Sequence, residues 1–299
     1  MSNAQRRPGA LRIAAMRGPT AMGMAGLLRD DADEYTFTLL RSTDALTPGF
    51  LESAFDVACV PASLAASLYQ ETNGRFRALA VNALGAACVA ERGDAIRALS
   101  DLRGRTIYTA GRGTTAEFTL SALLTACGID PAADVHMIFL PDHAACVTAL
   151  LENPGAAAVL SQPFATAARM RAGDVRIALD LNREWDRLRV CHGAPLITGA
   201  AVVRTAFAAE HPARVRAFLA RYEASVRFVR AHPDEAARAI AEAGIFDAEL
   251  ARAALPHCGI VFIAGAEMKE KLHAYLAALC EENPAWVGGA LPDDAFYFI

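Results

Sequence analysis

Short β-prone runs alternate with helix-patterned segments along most of this chain, and this order restricts the folds open to it. Strands that follow one another through helices favour an α/β fold, in which a mainly parallel sheet is covered by helices on both faces. The predicted strands include 11–16, 36–41, 56–60, 135–140, 157–160 and 175–180, and the predicted helices include 20–28, 94–99, 116–127, 143–151 and 163–170.

Two longer extended runs, 76–90 and 196–203, bracket the central α/β block. Such runs are typical of a chain that leaves one domain, builds a second and returns, with crossings near 82–87 and 198–201. A length of 299 residues also suits two domains. We therefore predict one lobe from residues 10–84 and 200–299 and a second from 85–199, and after residue 203 we expect only helices.

Composition excludes several functional classes. The net charge is −4, and no basic run extends beyond Arg6-Arg7, so nucleic acid is not an expected partner. Apolar segments such as 76–91 are interrupted by polar residues and are too short to span a bilayer. The seven cysteines follow no metal-ligand spacing and are interpreted as small buried hydrophobes. We predict no metal, no cofactor and no catalytic group.

Residues 1–9 resemble a tag-cleavage remnant followed by a linker, since Ser2-Asn3-Ala4 follows the initiator Met. We exclude them from the fold prediction. On this interpretation the natural amino terminus has been removed, so a missing export signal is not evidence for a cytoplasmic protein.

The segment 102–117 predicts a strand, a loop and a helix start that could hold an anion. Gly111 and Gly113 allow the backbone to bend, and Thr114 with Glu117 is the pattern of a capping box. Free N–H groups in the first turn of a helix attract negative charge. The alternative is an ordinary strand-to-helix turn whose glycines serve geometry alone.

Four segments resemble, in order and spacing, the landmarks of one protein family. They are 16–23 (MRGPTAMG), 57–65 (VACVPASLA), 99–106 (LSDLRGRT) and 157–166 (AAVLSQPFAT). The family comprises the substrate-binding proteins of ABC importers of the nitrate/sulfonate/taurine type, and the similarity extends over residues 11–284. The resemblance implies a two-lobed type II periplasmic-binding-protein fold with a hinge of two crossover strands. It also implies a monomer that binds a small solute without catalysis, delivers it to a membrane permease and is periplasmic or lipid-anchored.

Candidate ligand residues in the first lobe lie in loops after predicted strands, where α/β folds bind ligands. Thr20 is interpreted as a helix N-cap, with or without ligand contact. Asp44 either receives an ammonium or hydroxyl group or caps a turn. Asn82 interrupts an apolar run and needs polar partners. The full set is Pro19, Thr20, Met22, Asp44, Pro61, Ser63 and Asn82.

The second lobe contributes residues around the loop at 111–115 and after the strand at 157–160. Arg112 would bind a carboxylate, sulfonate or phosphate group in forked geometry, unless it is simply solvated. The candidates are Arg112, Gly113, Thr114, Thr115, Ser161 and Gln162, with Thr198 at the return crossing.

Two competing functions remain. Residues 111–116 (GRGTTA) fit a dinucleotide fingerprint, but in the second lobe and without an acidic residue at a following strand end. An enzyme on the same fold, of the pyrimidine-precursor or menaquinone-pathway type, is the other; the CCCFC motif of the former is absent. The resemblance leaves the ligand open, and the small or apolar cleft loops permit an aromatic or neutral one.

Overall fold

The structure, a computed structural model, describes residues 9–31, 33–40, 48–49, 52–85, 87–190 and 194–299. These residues form eleven strands, most of them at predicted positions. The strands are β1 (Leu11–Met16), β2 (Tyr35–Leu40), β3 (Val57–Val60), β4 (Phe76–Leu84), β5 (Ala87–Arg92), β6 (Thr106–Ala110), β7 (His136–Leu140), β8 (Ala157–Ser161), β9 (Val175–Asp180), β10 (Ile197–Arg204) and β11 (Ile260–Ala264).

The helices alternate with the strands and then dominate the carboxyl-terminal third. They are α1 (Pro19–Met22), α2 (Ala25–Asp30), α3 (Ala62–Glu71), α4 (Thr115–Ala126), α5 (His143–Glu152), α6 (Phe164–Arg171), α7 (Leu181–Leu188), α8 (Thr205–Glu210), α9 (Pro212–Ala231), α10 (Pro233–Glu242), α11 (Ala248–Ala254) and α12 (Gly265–Glu282). Short 3₁₀ turns include Leu99–Leu102, Leu255–His257, Pro284–Val287 and Asp294–Phe296.

The strands form two sheets, in the orders β11-β4-β10-β3-β1-β2 and β7-β6-β8-β5-β9. Both sheets are mixed, so the prediction of mainly parallel sheets is wrong. Strands β1, β2 and β3 pair in parallel, as do β6, β7 and β8, whereas β10 and β5 pair antiparallel with their neighbours. Helical connections within a sheet return the chain in the same direction, but a strand entering from the other sheet arrives from the opposite end.

The extended run predicted at 76–90 is two strands, because the chain passes from the first sheet to the second between β4 and β5. Gly85 at this passage has φ +59°, and a Cβ there would lie 2.6 Å from the side chain of Asn182. Glycine is favoured on both grounds. The chain returns after α7, and β10 already belongs to the first sheet at Ile197, one residue before the predicted crossing at 198–201.

Three local predictions were wrong. The helix expected at 20–28 divides into α1 and α2, because Ser225 of α9 inserts at the break: its hydroxyl donates to Gly23 O (2.8 Å) and accepts from Leu27 N–H (3.0 Å). The helix expected at 94–99 is instead a 3₁₀ turn, Leu99–Leu102. The all-helical carboxyl-terminal third contains β11, which pairs antiparallel with β4.

The period of two along each strand distributes apolar side chains to both faces of the first sheet. Ile13 packs in a core that includes Phe218 of α9, while the adjacent Ala14 belongs to a core that includes Leu68 of α3. Four of the six described cysteines, Cys59, Cys88, Cys146 and Cys258, are buried, as predicted. In the part of the chain that is described, no helix has the length and apolarity needed to cross a bilayer.

Candidate functional site

Loops from both sheets surround a cavity of about 500 Å³. The first sheet contributes 16–20 at the end of β1 and Pro61 after β3. The second contributes 110–112 and 114–116 at the end of β6, 141–144 after β7, and Ser161 with Phe164 at the end of β8. Most of these loops follow the carboxyl ends of strands, where α/β folds bind their ligands. The passage between the sheets lies at the same cavity, since Ala83, Gly85 and Ala87 line it.

The loop before α4 has the sharp bend predicted from its glycines, but not the predicted capping box. Gly111 and Gly113 have φ values of +65° and +70°. The Thr114 hydroxyl turns back and donates to Ala110 O at the end of β6 (2.8 Å), and the Glu117 carboxylate accepts from Gly113 N–H (2.6 Å). Neither side chain therefore satisfies the amides of the first helical turn, because each bonds to the loop that precedes it.

The start of α4 consequently presents polar groups without partners. Phe118 N–H is the first amide of the helix to bond back, to Thr114 O (3.1 Å), so those of Thr115 and Ala116 have no acceptor among the described residues. The Thr115 hydroxyl is buried and has no hydrogen-bond partner within the described part of the chain. Buried polar atoms are normally paired, so this cluster favours an external acceptor.

Two arginines bring positive charge to the cavity from opposite sheets. The guanidinium of Arg112 lies 4.0 Å over the ring of Phe139 and makes no ion pair with any described residue. Across the cavity, Arg17 Nε donates to Ile245 O (2.9 Å), and its guanidinium lies 4.6 Å from the ring centroid of Phe246. Stacking on Phe139 fixes the guanidinium of Arg112 in place and leaves its in-plane N–H groups for an anion.

Few other charged or titratable side chains line the described part of the cavity. Among the described lining residues, Asp142 supplies the one carboxylate, and it caps α5 by accepting from Ala145 N–H (2.8 Å). Burial lowers the pKa of the neighbouring His143 to about 4, which keeps its imidazole neutral near pH 7. The buried Nδ1 of that ring has no partner in the described residues.

A row of contacting side chains, here called the aromatic bridge and comprising Arg17, Phe246, Phe164 and His143, connects the two sheets beside the cavity. The Phe164 and His143 ring centroids are 5.3 Å apart, and those of Phe164 and Phe246 are 5.8 Å apart with an edge-to-face angle of 81°. Phe164 is the first residue of α6, which follows strand β8 of the second sheet. Phe246 lies between α10 and α11, beside the first sheet. These contacts hold the two halves together in this conformation.

Eight of the residues that the sequence singles out line the cavity. Thr20 is among them, but its predicted role as N-cap is wrong: Gly18 is the N-cap of α1, and the Thr20 hydroxyl donates to Met16 O (3.1 Å). The eight are Pro19, Thr20, Pro61, Arg112, Thr114, Thr115, Ser161 and Thr198.

Five other candidates lie nearby without lining the cavity. Met22 and Asn82 are fully buried, and the Asn82 amide oxygen lies against Gly199, where a Cβ would be 2.4 Å from it. Gln162 is buried, and its side-chain oxygen accepts from the Thr166 hydroxyl (2.7 Å). Ser63 is buried, and Gly113 is exposed beside the cavity. Asp44 lies outside the described residues.

Sequence reasoning did not select Arg17, His143 or Phe164, although all three line the cavity. A signal was present for two of them. Arg17 directly follows β1, and the Asp142-His143 pair starts a helix after β7, the same strand-to-helix position that identified Arg112 and Thr115. The signal for Phe164 was weaker, because an apolar residue at a helix start is more often a core residue.

Comparison with solved structures shows the same fold over nearly the whole chain. An ABC transporter protein from Parabacteroides distasonis superposes with a TM-score of 0.78 at 21% identity, covering 97% of this chain and 99% of its own. The periplasmic aliphatic sulphonate binding protein SsuA of Escherichia coli gives 0.73 at 18% identity, over 93% and 88%. The alkanesulfonate-binding protein SsuA of Xanthomonas axonopodis pv. citri, bound to MOPS, gives 0.69 at 14%, over 96% and 95%.

A family model identifies the chain more specifically. No curated protein matches the sequence. The model that describes the periplasmic substrate-binding protein of phosphonate ABC transporters matches residues 33–252, a span that holds most of the cavity loops of both sheets. The chain therefore belongs to the family of phosphonate ABC transporter periplasmic substrate-binding proteins.

Proposed function

We propose that this chain captures a small organic anion, with a phosphonate or sulfonate group, in the cavity between its two sheets. The observation that carries the proposal is the set of donors without partners at the start of α4, namely the buried Thr115 hydroxyl and the amides of Thr115 and Ala116. Arg112 lies beside them with no ion-pair partner among the described residues. Together these groups suit a compact, multiply accepting anion.

Membership of the family establishes the coarser function. The chain is the substrate-binding component of an ABC transporter, a binding protein and not an enzyme. The family also implies an extracytoplasmic location, a small-molecule ligand and an interaction with the membrane permease.

The geometry supports an acid group with several oxygens over a single polar acceptor. A phosphonate or sulfonate offers three oxygens, which matches two backbone amides, one hydroxyl and a forked guanidinium. The partial positive charge at the start of the twelve-residue helix α4 adds to the attraction. Phosphonate in the family description, and sulphonate in the names of similar structures, are anions of this type.

The proposal includes a mechanism of capture. The first sheet and its helices form the lobe predicted for residues 10–84 and 200–299. The second sheet and its helices form the lobe predicted for residues 85–199. The protein acts as a monomer. Opening at the two crossings admits the ligand, and closing brings Arg17 and Arg112 toward it from opposite sides. The predicted ligand residues that line the cavity, from Pro19 and Thr20 to Ser161 and Thr198, form the contact set.

Isothermal titration calorimetry on protein freed of co-purified ligand by unfolding and refolding tests the proposal. Phenylphosphonate, methylphosphonate and ethanesulfonate are titrated beside uncharged dimethyl methylphosphonate. We expect at least one anion to bind at a single site while the uncharged ester gives no heat of binding. Equal binding of the ester, or no binding by any of the three anions at millimolar concentration, would overturn the proposal. Mass spectrometry of the released ligand gives an independent check.

A further inference from the structure

The cavity is much larger than an acid group needs. Its volume is about 500 Å³. A protein cavity of roughly 150 Å³ is enough to hold benzene. If the acid group lies at the start of α4, most of the remaining space is available to the rest of the ligand, so a ligand such as methylphosphonate would leave it filled with water.

Much of the cavity lining is apolar. Short side chains, among them Ala83, Ala87 and Ala144, leave the volume open, and Met16 and Phe164 supply larger apolar surface. The imidazole of His143, tilted against the ring of Phe164, adds an uncharged ring. A flat apolar group could pack against this surface and displace water from it.

The same cavity is poorly suited to an ammonium group. Asp142 is its one carboxylate among the described lining residues, and one oxygen of that carboxylate already bonds to Ala145 N–H. Arg112, which makes no ion pair with any described residue, contributes a positive charge to the cavity. An ammonium group on the ligand would lose water without gaining a dedicated anionic partner among the described lining residues, and it would be repelled by Arg112.

We propose that this cavity selects an organic anion that carries an aromatic or similarly bulky apolar body and no ammonium group, with Phe164 as the specificity-determining residue. Arylphosphonates and arylsulfonates are the substrate class, and taurine and aminoalkylphosphonates are excluded. The inference rests on the proposed function, because it takes the acid group to lie at the start of α4.

Competition among matched ligands tests the proposal by calorimetry. Phenylphosphonate is compared with methylphosphonate, benzenesulfonate with taurine, and ethylphosphonate with 2-aminoethylphosphonate. We expect the aryl member of the first two pairs to bind at least about tenfold more tightly, because it buries more apolar surface. In the third pair we expect the amine to weaken binding by about tenfold or more.

Variants at Phe164 then assign the effect to one residue. Phe164→Ala and the milder Phe164→Leu should weaken phenylphosphonate binding several-fold more than methylphosphonate binding, and any loss common to both ligands reports the shortened aromatic bridge. Met170→Ala, an exposed apolar residue on the same helix outside the cavity, is the matched control and should change neither. Thermal unfolding of each variant shows whether it is folded. If Phe164→Ala does not fold, the comparison of the two phosphonates is made with Phe164→Leu.

The outcomes separate this inference from the proposed function. If methylphosphonate or taurine binds as tightly as its aryl partner, the cavity does not select for an apolar body. If 2-aminoethylphosphonate binds as tightly as ethylphosphonate, the cavity does not exclude an ammonium group. Either result overturns the inference, while capture of an organic anion stands. If no anion of the panel binds, the proposed function fails and the inference fails with it. Unchanged selectivity in folded Phe164 variants would remove Phe164 as the determinant.

Discussion

Arg12 and Asp56 form a two-point ion pair that joins the first strand to the residue before the third. Arg12 Nε lies 2.9 Å from Asp56 Oδ2, and Arg12 Nη2 lies 2.5 Å from Oδ1. The same carboxylate accepts from Arg12 N–H (3.1 Å) and from Arg204 Nη2 (2.9 Å). One buried carboxylate thus connects β1, β3 and β10.

Replacing this carboxylate should destabilise the first sheet. Asp56→Asn removes the charge that two arginines share, and we expect the free energy of unfolding to fall by about 2–4 kcal/mol, since a broken buried pair leaves uncompensated charge. Urea denaturation measures the change. Asp174→Asn is the control, because the exposed pair between Arg92 and Asp174 should contribute much less than a buried pair. Equal losses in the two variants would contradict the prediction.

The contribution of Asp56 to the free energy of unfolding should also depend on pH. Burial by itself would raise the pKa of Asp56, but hydrogen bonds from Arg12 and Arg204 outweigh it and hold the pKa below its usual value of 3.8. A carboxyl whose folded-state pKa is lowered stabilises the protein fully above its unfolded-state pKa, and this stabilisation is lost as pH falls through the folded-state pKa.

We therefore expect the difference in unfolding free energy between the native protein and Asp56→Asn to be constant from pH 7 to about pH 5 and to shrink below about pH 4. Urea denaturation of both proteins across pH 3–7 measures it. Subtracting one protein from the other removes carboxyls common to both, so a difference that stays constant down to pH 3 would show that the pKa of Asp56 is not lowered.

Substitutions at the start of α4 should weaken anion binding in a fixed order. Arg112→Ala removes a charge-assisted contact, worth roughly twice a neutral hydrogen bond, so it should reduce affinity more than Thr115→Ala. For Thr115→Ala we expect a loss of about 0.5–1.5 kcal/mol. Calorimetry with the anion that binds most tightly measures both. Arg216→Ala, on the exposed face of α9, controls for net charge and should have no effect beyond screening. Unchanged affinity in both variants would mean that this loop is only a turn.

Anion binding should not strengthen on mild acidification. Because burial lowers the pKa of His143 to about 4, its imidazole stays neutral down to about pH 5 and adds no charge to the cavity. A sulfonate probe is used, since its own charge does not change in this range. We expect its affinity to be constant from pH 8 to pH 5.5. A rise in affinity below pH 6.5 that disappears in His143→Gln would indicate that the histidine titrates near its ordinary value.

The sequence was informative where local patterns decide the structure. Short β-prone runs located most strands of both sheets, although not β11, and glycines predicted the bend at Gly111 and Gly113. Strand direction was not predictable in the same way, because it depends on which sheet a strand enters. The mixed pairing of β5 and β10 follows from the two passages between sheets.

For the site, position after a strand identified most of the lining loops, but hydrogen-bond partners depended on contacts that the sequence does not display. Thr114 and Glu117 have the spacing of a capping box, and each bonds to the preceding loop instead. Asn82 looked available for a ligand, although it is enclosed against Gly199. Arg17 and Phe164 meet Phe246 from distant parts of the sequence, so only the folded chain shows the aromatic bridge.

The aromatic bridge gives the protein a structural control over the rate of ligand release. Any opening that moves the second sheet away from the first must separate Phe164 from Phe246, whichever ligand is inside. That separation adds to the barrier for release, so the contact between Phe164 and Phe246 would affect residence time apart from the selectivity that we propose for Phe164. To unload its binding protein, the transporter would then need to supply, through the docked permease, the energy that separates the rings of Phe164 and Phe246.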